Sequence, residues 1–127
     1  MWKPYSEITN KQADFLVSYR FFSVEEGGRK KLPHQGYRSD FLYKEDDVKD
    51  GIYMIWPEFL DSNVIVIKNK DIPIEQVGKA FMWILNQDLK KSLHSHRIKI
   101  GTKGYLMEGT NKVAEVEVIK IIGLNEN

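Results

Sequence analysis

Residues 24–43 read Val-Glu-Glu-Gly-Gly-Arg-Lys-Lys-Leu-Pro-His-Gln-Gly-Tyr-Arg-Ser-Asp-Phe-Leu-Tyr. Gly27 and Gly28 can adopt a positive φ at little cost, so the chain is able to bend sharply at this point. Pro33 and Gly36 are turn-forming residues near the far end of the same stretch. These residues predict a shaped, charged loop that joins one strand before it to another after it.

Alternating apolar residues predict strands on both sides of this loop. In residues 14–23, the apolar residues that share one face are Phe15, Val17, Tyr19 and Phe21. The alternation repeats in 36–43, and 51–56 predicts a third strand that ends at Pro57. Residues 63–68 contain the β-branched run Val-Ile-Val-Ile, which predicts a fourth strand.

The segment 74–93 admits two interpretations. Its apolar residues recur at helical spacing, which favours an amphipathic helix over the whole segment. Gly78 interrupts that helix, and residues 79–85 also suit a strand that is buried on both faces. In the second interpretation, a helical turn follows at about 88–93.

The C-terminal part of the chain contains three more predicted strands, at 97–101, 105–108 and 112–122. In the last of them the alternation of apolar and polar residues reverses phase after Val118. One extra residue in a strand produces such a reversal, so we predict a β-bulge near Val118.

Several turn motifs resemble, in their order and spacing, those of the third domain of elongation factor Tu, a small antiparallel β-barrel. The motifs are Gly27-Gly28-Arg29, Pro33, Gly36-Tyr37-Arg38, Asp47-Val48 with Gly51, Val77-Gly78, and the hairpin Met107-Glu108-Gly109-Thr110-Asn111-Lys112-Val113-Ala114. The likeness covers about 14–122, and it favours the strand interpretation of 79–85. The resemblance implies an all-β fold, a barrel of about six to eight antiparallel strands with at most one short helix near 86–94.

The resemblance also implies a domain organisation. Residues 1–13 would form an N-terminal extension, 14–122 the barrel and 123–127 a C-terminal tail. The sequence contains no Gly-x-x-x-x-Gly-Lys-[Ser/Thr] phosphate loop, which the GTPase domain of elongation factor Tu carries. We therefore expect a stand-alone barrel that does not bind GTP.

Composition limits the functional classes. The chain has 127 residues and no cysteine, which fits one domain with an ordinary core and excludes thiol catalysis, disulfides and cysteine-based zinc sites. Its 19 Lys and Arg against 18 Asp and Glu give no overall attraction to DNA or to a membrane. The N-terminus has no apolar run of signal-peptide length. We expect a cytoplasmic protein that binds neither DNA nor membranes.

Two basic segments are candidate binding surfaces. Arg29, Lys30 and Lys31 lie on the glycine loop, where backbone amides could help to hold an anion. The alternative is a solvated loop in which Arg29 pairs with a carboxylate of the same barrel. The second segment, 89–104, has five Lys or Arg, two His and no acid, and its candidate residues are His96, Arg97 and Lys99. This segment either binds the phosphates of a nucleic-acid backbone or is a plain solvent-facing surface.

In elongation factor Tu, the third domain contacts the T stem of aminoacyl-tRNA, so the matching positions test the resemblance. Glu108 and Gly109 are retained. The positions that depart from the family, two of them lost arginines, are Met107, Asn111, Asp40 and Lys49. Since phosphate contacts dominate affinity for RNA, these departures argue against tRNA binding in that manner. Arg38 and Lys112 belong to the retained motifs and complete the candidate binding residues.

His94 and His96 stand two residues apart and would share one face of an extended strand, a spacing that some metal sites use. Two ligands do not make a site, and neither a cysteine nor an evident third carboxylate completes it. The sequence has no Gly-x-Ser-x-Gly nucleophile motif. We therefore expect no catalytic residue, no metal and no cofactor.

The residues and the resemblance together favour a non-catalytic binding module connected with translation. Its expected partner is a protein, with structured RNA as the other candidate. One alternative function is an immunity-type or decoy protein that mimics the surface of elongation factor Tu. A second alternative is a small enzyme or ligand-binding barrel whose pocket uses His94, His96 and Arg97.

Overall fold

The computed structural model of the chain describes residues 1–126; Asn127, the last residue of the predicted tail, lies outside them. The strands are β1 (Phe15–Phe21), β2 (Asp40–Tyr43), β3 (Ile55–Leu60), β4 (Val77–Ile84), β5 (Lys103–Glu108) and β6 (Asn111–Ile121). They form one antiparallel sheet in the order β2-β5-β6-β1-β4-β3. The sheet curls into a half-barrel, which confirms the predicted all-β fold with a small antiparallel barrel.

The two edge strands, β2 and β3, approach each other across the opening of the half-barrel. Phe41 of β2 and Tyr53, just before β3, exchange two backbone hydrogen bonds of 2.8 and 2.9 Å. The outer edge of β3 is covered by the Gln35 amide, which bonds the backbone N–H and C=O of Phe59 at 2.8 and 2.9 Å. Covered edges of this kind protect a sheet from pairing with other chains.

Alternate residues of the strands fill the interior of the half-barrel. The inward residues of β1 are those that the alternation predicts, and all are buried: Phe15, Val17, Tyr19 and Phe21. Phe41, Phe59 and Met82 from the neighbouring strands are also fully buried and belong to the same cluster. The barrel interior is therefore a packed apolar core.

Two α-helical regions and a 3₁₀ turn (Val48–Asp50) lie outside the sheet. α1 (Tyr5–Thr9) belongs to the N-terminal extension, where the sequence predicts no helix. The second region consists of α2 (Gln87–Leu89), a π-helical turn (Lys90–His94) and α3 (Ser95–Arg97). It begins at Asn86, whose side chain caps it by accepting a hydrogen bond from the backbone N–H of Leu89 at 3.0 Å. No helix in residues 1–126 combines the length and the apolar character that crossing a membrane requires.

The second helical region extends past the predicted turn at 88–93 and includes Arg97, the first residue of the strand predicted at 97–101. That predicted strand is wrong. Lys90, His94 and Ile98, the residue that follows α3, are buried and spaced four residues apart. Two of the three are polar, so the helical face that packs on the barrel does not appear in the pattern of apolar residues.

Two other strand predictions differ from the structure. β3 includes Pro57, where the predicted third strand ends, because a missing N–H is tolerated on an edge strand. Residues 63–68 form a loop instead of the predicted fourth strand. The Asp61 carboxylate accepts hydrogen bonds from the backbone N–H groups of Asn63 and Ile65 at 2.8 and 3.1 Å. This side-chain turn competes with strand pairing.

Other features of the sheet follow the sequence more closely. The interpretation of 79–85 as a strand is confirmed, since β4 occupies most of this segment. The predicted bulge is confirmed as well, because β6 has one extra residue, Ile119, between its pairs with Leu16 and Val17 of β1. The strand predicted at 36–43 begins only at residue 40.

Candidate functional site

The glycine loop follows β1 and bends sharply at Gly27 and Gly28. Gly27 has a φ of 92°, a conformation that favours glycine. A side chain at Gly28 would place its Cβ 2.1 Å from the backbone oxygen of Phe22, so another residue would require the backbone to move. The two glycines therefore set the path of the chain into Arg29.

Arg29 is held by an ion pair with Glu108 of β5, which lies 79 positions away in the sequence. The hydroxyl of Tyr37 donates a hydrogen bond to the same carboxylate oxygen. The Arg29 guanidinium also lies 5.0 Å from the centre of the Tyr37 ring, a cation–π contact. Burial, and then the hydrogen bond to Glu108, raises the pKa of Tyr37 above its usual value. Three of the motifs that carry the resemblance thus meet in one Arg29–Glu108–Tyr37 cluster.

This cluster supports the second interpretation of the glycine loop, in which Arg29 pairs with a carboxylate of the same barrel. We expect Arg29→Glu to lower the free energy of unfolding by about 1 kcal/mol, because it places two carboxylates together. The effect stays this small because the side chains of Arg29 and Glu108 are 32% and 37% exposed, and water screens their interaction. Urea unfolding at neutral pH measures it.

Lys30→Glu is the matched control, because Lys30 is an exposed neighbour on the same loop. Its substitution should change the free energy of unfolding by no more than about 0.5 kcal/mol. Equal stabilities of the Arg29 and Lys30 variants would contradict a structural role for the Arg29–Glu108 pair.

Arg97, at the end of the second helical region, is also tied to a carboxylate. Its two terminal nitrogens donate hydrogen bonds of 2.8 and 3.1 Å to the two oxygens of Asp46. The guanidinium lies 3.7 Å from the centre of the Tyr43 ring. The hydrogen bond from Arg97 lowers the pKa of Asp46 below its usual value. Arg97 therefore links the helical region to the end of β2 instead of standing free for an anion.

His94 and His96 occupy different environments, so the shared face predicted for them is wrong. His94 is 1% exposed, and its Nδ1 shares a hydrogen bond of 2.6 Å with the Tyr43 hydroxyl. Its ring also meets the Tyr53 ring edge-on at 4.8 Å. Burial, with a smaller contribution from the charge of Arg97, lowers the pKa of His94 to about 4. His96 is exposed, because two residues on a helix point in different directions.

The other predicted binding residues are exposed, and they are Lys30, Lys31, Arg38, His96, Lys99, Gly109 and Lys112. The hairpin between β5 and β6 lies beside the glycine loop, since the Asn111 amide donates to the Gly27 carbonyl at 3.3 Å. The Arg29 and Arg97 groups lie at opposite ends of the β2–β5 pair. Arg38 lies over the Trp56 ring at 4.3 Å. The predicted residues therefore do not form a single site.

An apolar patch is a surface that the sequence analysis does not predict. Ile65, Ile72 and Val77 are 57%, 54% and 62% exposed and line one groove of about 830 Å³ beside the start of β4. The β-branched run at 63–68 is the available sequence signal. Such a run predicts a strand, and only the loop conformation reveals that Ile65 faces solvent.

The N-terminal extension covers the outer face of β3 and β4. The carboxylate of Glu58, 1% exposed, accepts hydrogen bonds from the Trp2 indole and the Tyr5 backbone N–H, both at 2.8 Å. Its other oxygen accepts one from the Trp83 indole at 3.1 Å. Three N–H donors therefore satisfy this buried carboxylate. Two large aromatic residues in a short extension are the sequence signal for such a cover.

A buried ion pair joins Asp14, the residue before β1, to the second helical region. Lys90 Nζ lies 2.7 Å from Asp14 Oδ1, and the two side chains are 8% and 6% exposed. Asp14 Oδ2 accepts a hydrogen bond from the backbone N–H of Ile84 at 2.7 Å. Lys and Asp are seldom this deeply buried, so composition and periodicity do not predict the pair.

Within residues 1–126, no three His, Asp or Glu side chains are placed together so as to hold a metal ion. A scan against models of protein families finds no match for the chain, and a search of curated proteins finds no match either.

Proposed function

We propose that the chain is a non-catalytic protein-binding module connected with translation, built on a barrel similar to the third domain of elongation factor Tu. The observation that carries the proposal is the apolar patch formed by Ile65, Ile72 and Val77. Exposed apolar side chains that line one groove favour contact with a protein. The link to translation rests on the resemblance, and the convergence of its motifs at Arg29, Glu108 and Tyr37 supports a retained scaffold.

The charges around the patch favour a neutral, apolar segment of a partner protein. The groove carries two acidic and two basic side chains: Asp61, Glu75, Lys68 and Lys79. A balanced rim of this kind gives little attraction to a strongly charged partner. Affinity would therefore come from burying Ile65, Ile72 and Val77.

The arginine contacts favour a protein over RNA. Arg29 and Arg97, the arginines of the two basic segments, are neutralised by Glu108 and Asp46. A carboxylate beside each guanidinium repels a phosphate and takes the donors that a phosphate would use. The exposed lysines that remain are distributed between separate ends of the barrel.

The environment of the histidines supports a binding role over catalysis. His94 is buried and bonded to Tyr43, His96 faces solvent and Arg97 pairs with Asp46. A catalytic acid or base must be able to reach its substrate. His94, His96 and Arg97 therefore do not line one shared pocket of the kind that a small enzyme would need.

Affinity capture with the tagged chain tests the proposal. Ile65→Glu and Val77→Glu place a charge in the patch and should reduce capture of the partner at least about tenfold, since an unpaired charge is costly in an apolar interface. Ile100→Glu is the matched control, because Ile100 is 71% exposed and lies outside the groove. Calorimetry with the purified partner then measures the same differences in affinity.

Treatment of the extract with RNase should leave capture unchanged. Loss of capture after RNase would establish RNA as the bound species and overturn the proposal. Equal loss in the Ile65 and Ile100 variants would show that the apolar patch is not the contact. A partner that also binds elongation factor Tu would support the decoy alternative.

A further inference from the structure

A cavity of about 450 Å³ lies between α1, the ends of β3 and β4, and the second helical region. Three aromatic residues, Tyr5, Trp56 and Trp83, form its walls together with Leu85. Trp56 and Trp83 are opposite each other in the pairing of β3 with β4, so their rings lie on the same face of the sheet. Tyr5 and Trp83 pack edge to face with their ring centres 5.6 Å apart, and aromatic walls of this kind suit a flat, apolar ligand.

The polar side of the cavity is formed by the buried pair of Asp14 and Lys90. Both oxygens of Asp14 are engaged, one by Lys90 Nζ and one by the backbone N–H of Ile84. A lysine ammonium has three donors, and Asp14 is its ion-pair partner within residues 1–126. Lys90 therefore has donor capacity for an acceptor that enters the cavity, whereas Asp14 has little left for a cation.

The charges around the cavity favour an anion. Lys11 lines the cavity and adds a second cation to Lys90, while Asp14 is the single acid in the lining. Arg38 already lies over the Trp56 ring, at 4.3 Å from its centre, so one face of this ring is occupied by a cation. The lining thus carries a net charge of +1, from Lys11 and Lys90 against Asp14, while the Glu58 carboxylate outside it is satisfied by its own N–H donors; this charge favours a carboxylate over a cation.

We propose that this cavity binds a small planar aromatic carboxylate, with the ring against Tyr5, Trp56 and Trp83 and the carboxylate at Lys90. The site is separate from the apolar patch, because the two share no lining residue. Ligand binding here is therefore independent of the proposed protein contact.

NMR titration of the full chain with 2-naphthoate tests the proposal, with 2-naphthamide and 2-naphthylmethylammonium as neutral and cationic probes. The indole N–H signals of Trp56 and Trp83 should shift saturably with 2-naphthoate. The amide should bind at least about tenfold more weakly, since a hydrogen bond from an ammonium to a carboxylate is stronger than one to an amide. The cationic probe should bind more weakly still.

Matched variants locate the site. Thr9→Phe fills the cavity from the exposed face of α1 and should abolish the shifts, whereas Thr110→Phe, on the distant exposed hairpin, should leave them unchanged. The double variant Asp14→Leu with Lys90→Met removes the ammonium at which the carboxylate is proposed to bind, so it should lose most of the preference for the acid over the amide, while Lys11 retains a small part of it. Absence of saturable shifts in the native chain, or equal binding of acid and amide to it, would overturn the proposal. An unchanged affinity of the Thr9→Phe variant for 2-naphthoate would also overturn it.

Discussion

Lys90→Met is expected to lower the free energy of unfolding by about 3 to 5 kcal/mol, the typical effect of removing one partner of a buried ion pair. Asp14 is 6% exposed in its side chain and would remain in the interior without the ammonium that lies 2.7 Å from it. The backbone N–H of Ile84 would still bond the other oxygen, but one neutral donor does not replace a cation. Chemical unfolding at neutral pH measures the loss.

Two further variants separate the pair from other effects of the substitution. Lys91→Met changes the exposed neighbour and should alter the free energy of unfolding by no more than about 0.5 kcal/mol. Asp14→Leu combined with Lys90→Met removes both charges and should recover part of the stability, because the unpaired backbone N–H of Ile84 that it leaves costs less than an uncompensated buried carboxylate. A double variant as unstable as Lys90→Met would show that packing, and not an uncompensated carboxylate, causes the loss.

The sheet could be predicted where its residues follow a period of two. β1 alternates buried and partly exposed residues along much of its length, and the reversal of phase near Val118 announces the bulge at Ile119. The prediction fails where a local hydrogen bond overrides the pattern. Hydrogen bonds to Asp61 turn the β-branched run at 63–68 into a loop. The β-propensity of the run alone does not predict these bonds.

The candidate site could be predicted only in part, because the sequence shows charges without their partners. Arg29 and Arg97 carry the charge expected of an anion-binding site, yet Glu108 and Asp46 neutralise them from distant positions. The sequence admits an internal ion pair for Arg29 but does not identify Glu108 as the partner. The cavity and the apolar patch depend on how loops and the N-terminal extension fold back, which periodicity does not describe.

His94 is a buried polar residue, and its contacts explain why it is neutral in the folded chain. The ring is 1% exposed, bonded to the Tyr43 hydroxyl and close to the positive charge of Arg97. Burial lowers the pKa of His94 from 6.5 to about 4, so the folded chain resists protonation. The unfolded chain binds the proton at the ordinary pKa. The His94 contribution to stability is therefore complete above pH 6.5 and is lost as the pH falls toward 4.

Between about pH 7 and pH 4.5, this protonation should lower the free energy of unfolding by about 2 to 3 kcal/mol. His94→Phe keeps a ring in the interior but cannot titrate, so its stability should fall less over the same range, even though the Tyr43 hydroxyl loses its partner at every pH. Protonation of carboxylates such as Asp46, whose pKa Arg97 lowers, also reduces the free energy of unfolding in acid. This effect is the same in both proteins. Urea unfolding of the two proteins across this range measures the difference. If the free energies of unfolding of the two proteins fell in parallel with pH, protonation of His94 would not destabilise the folded chain.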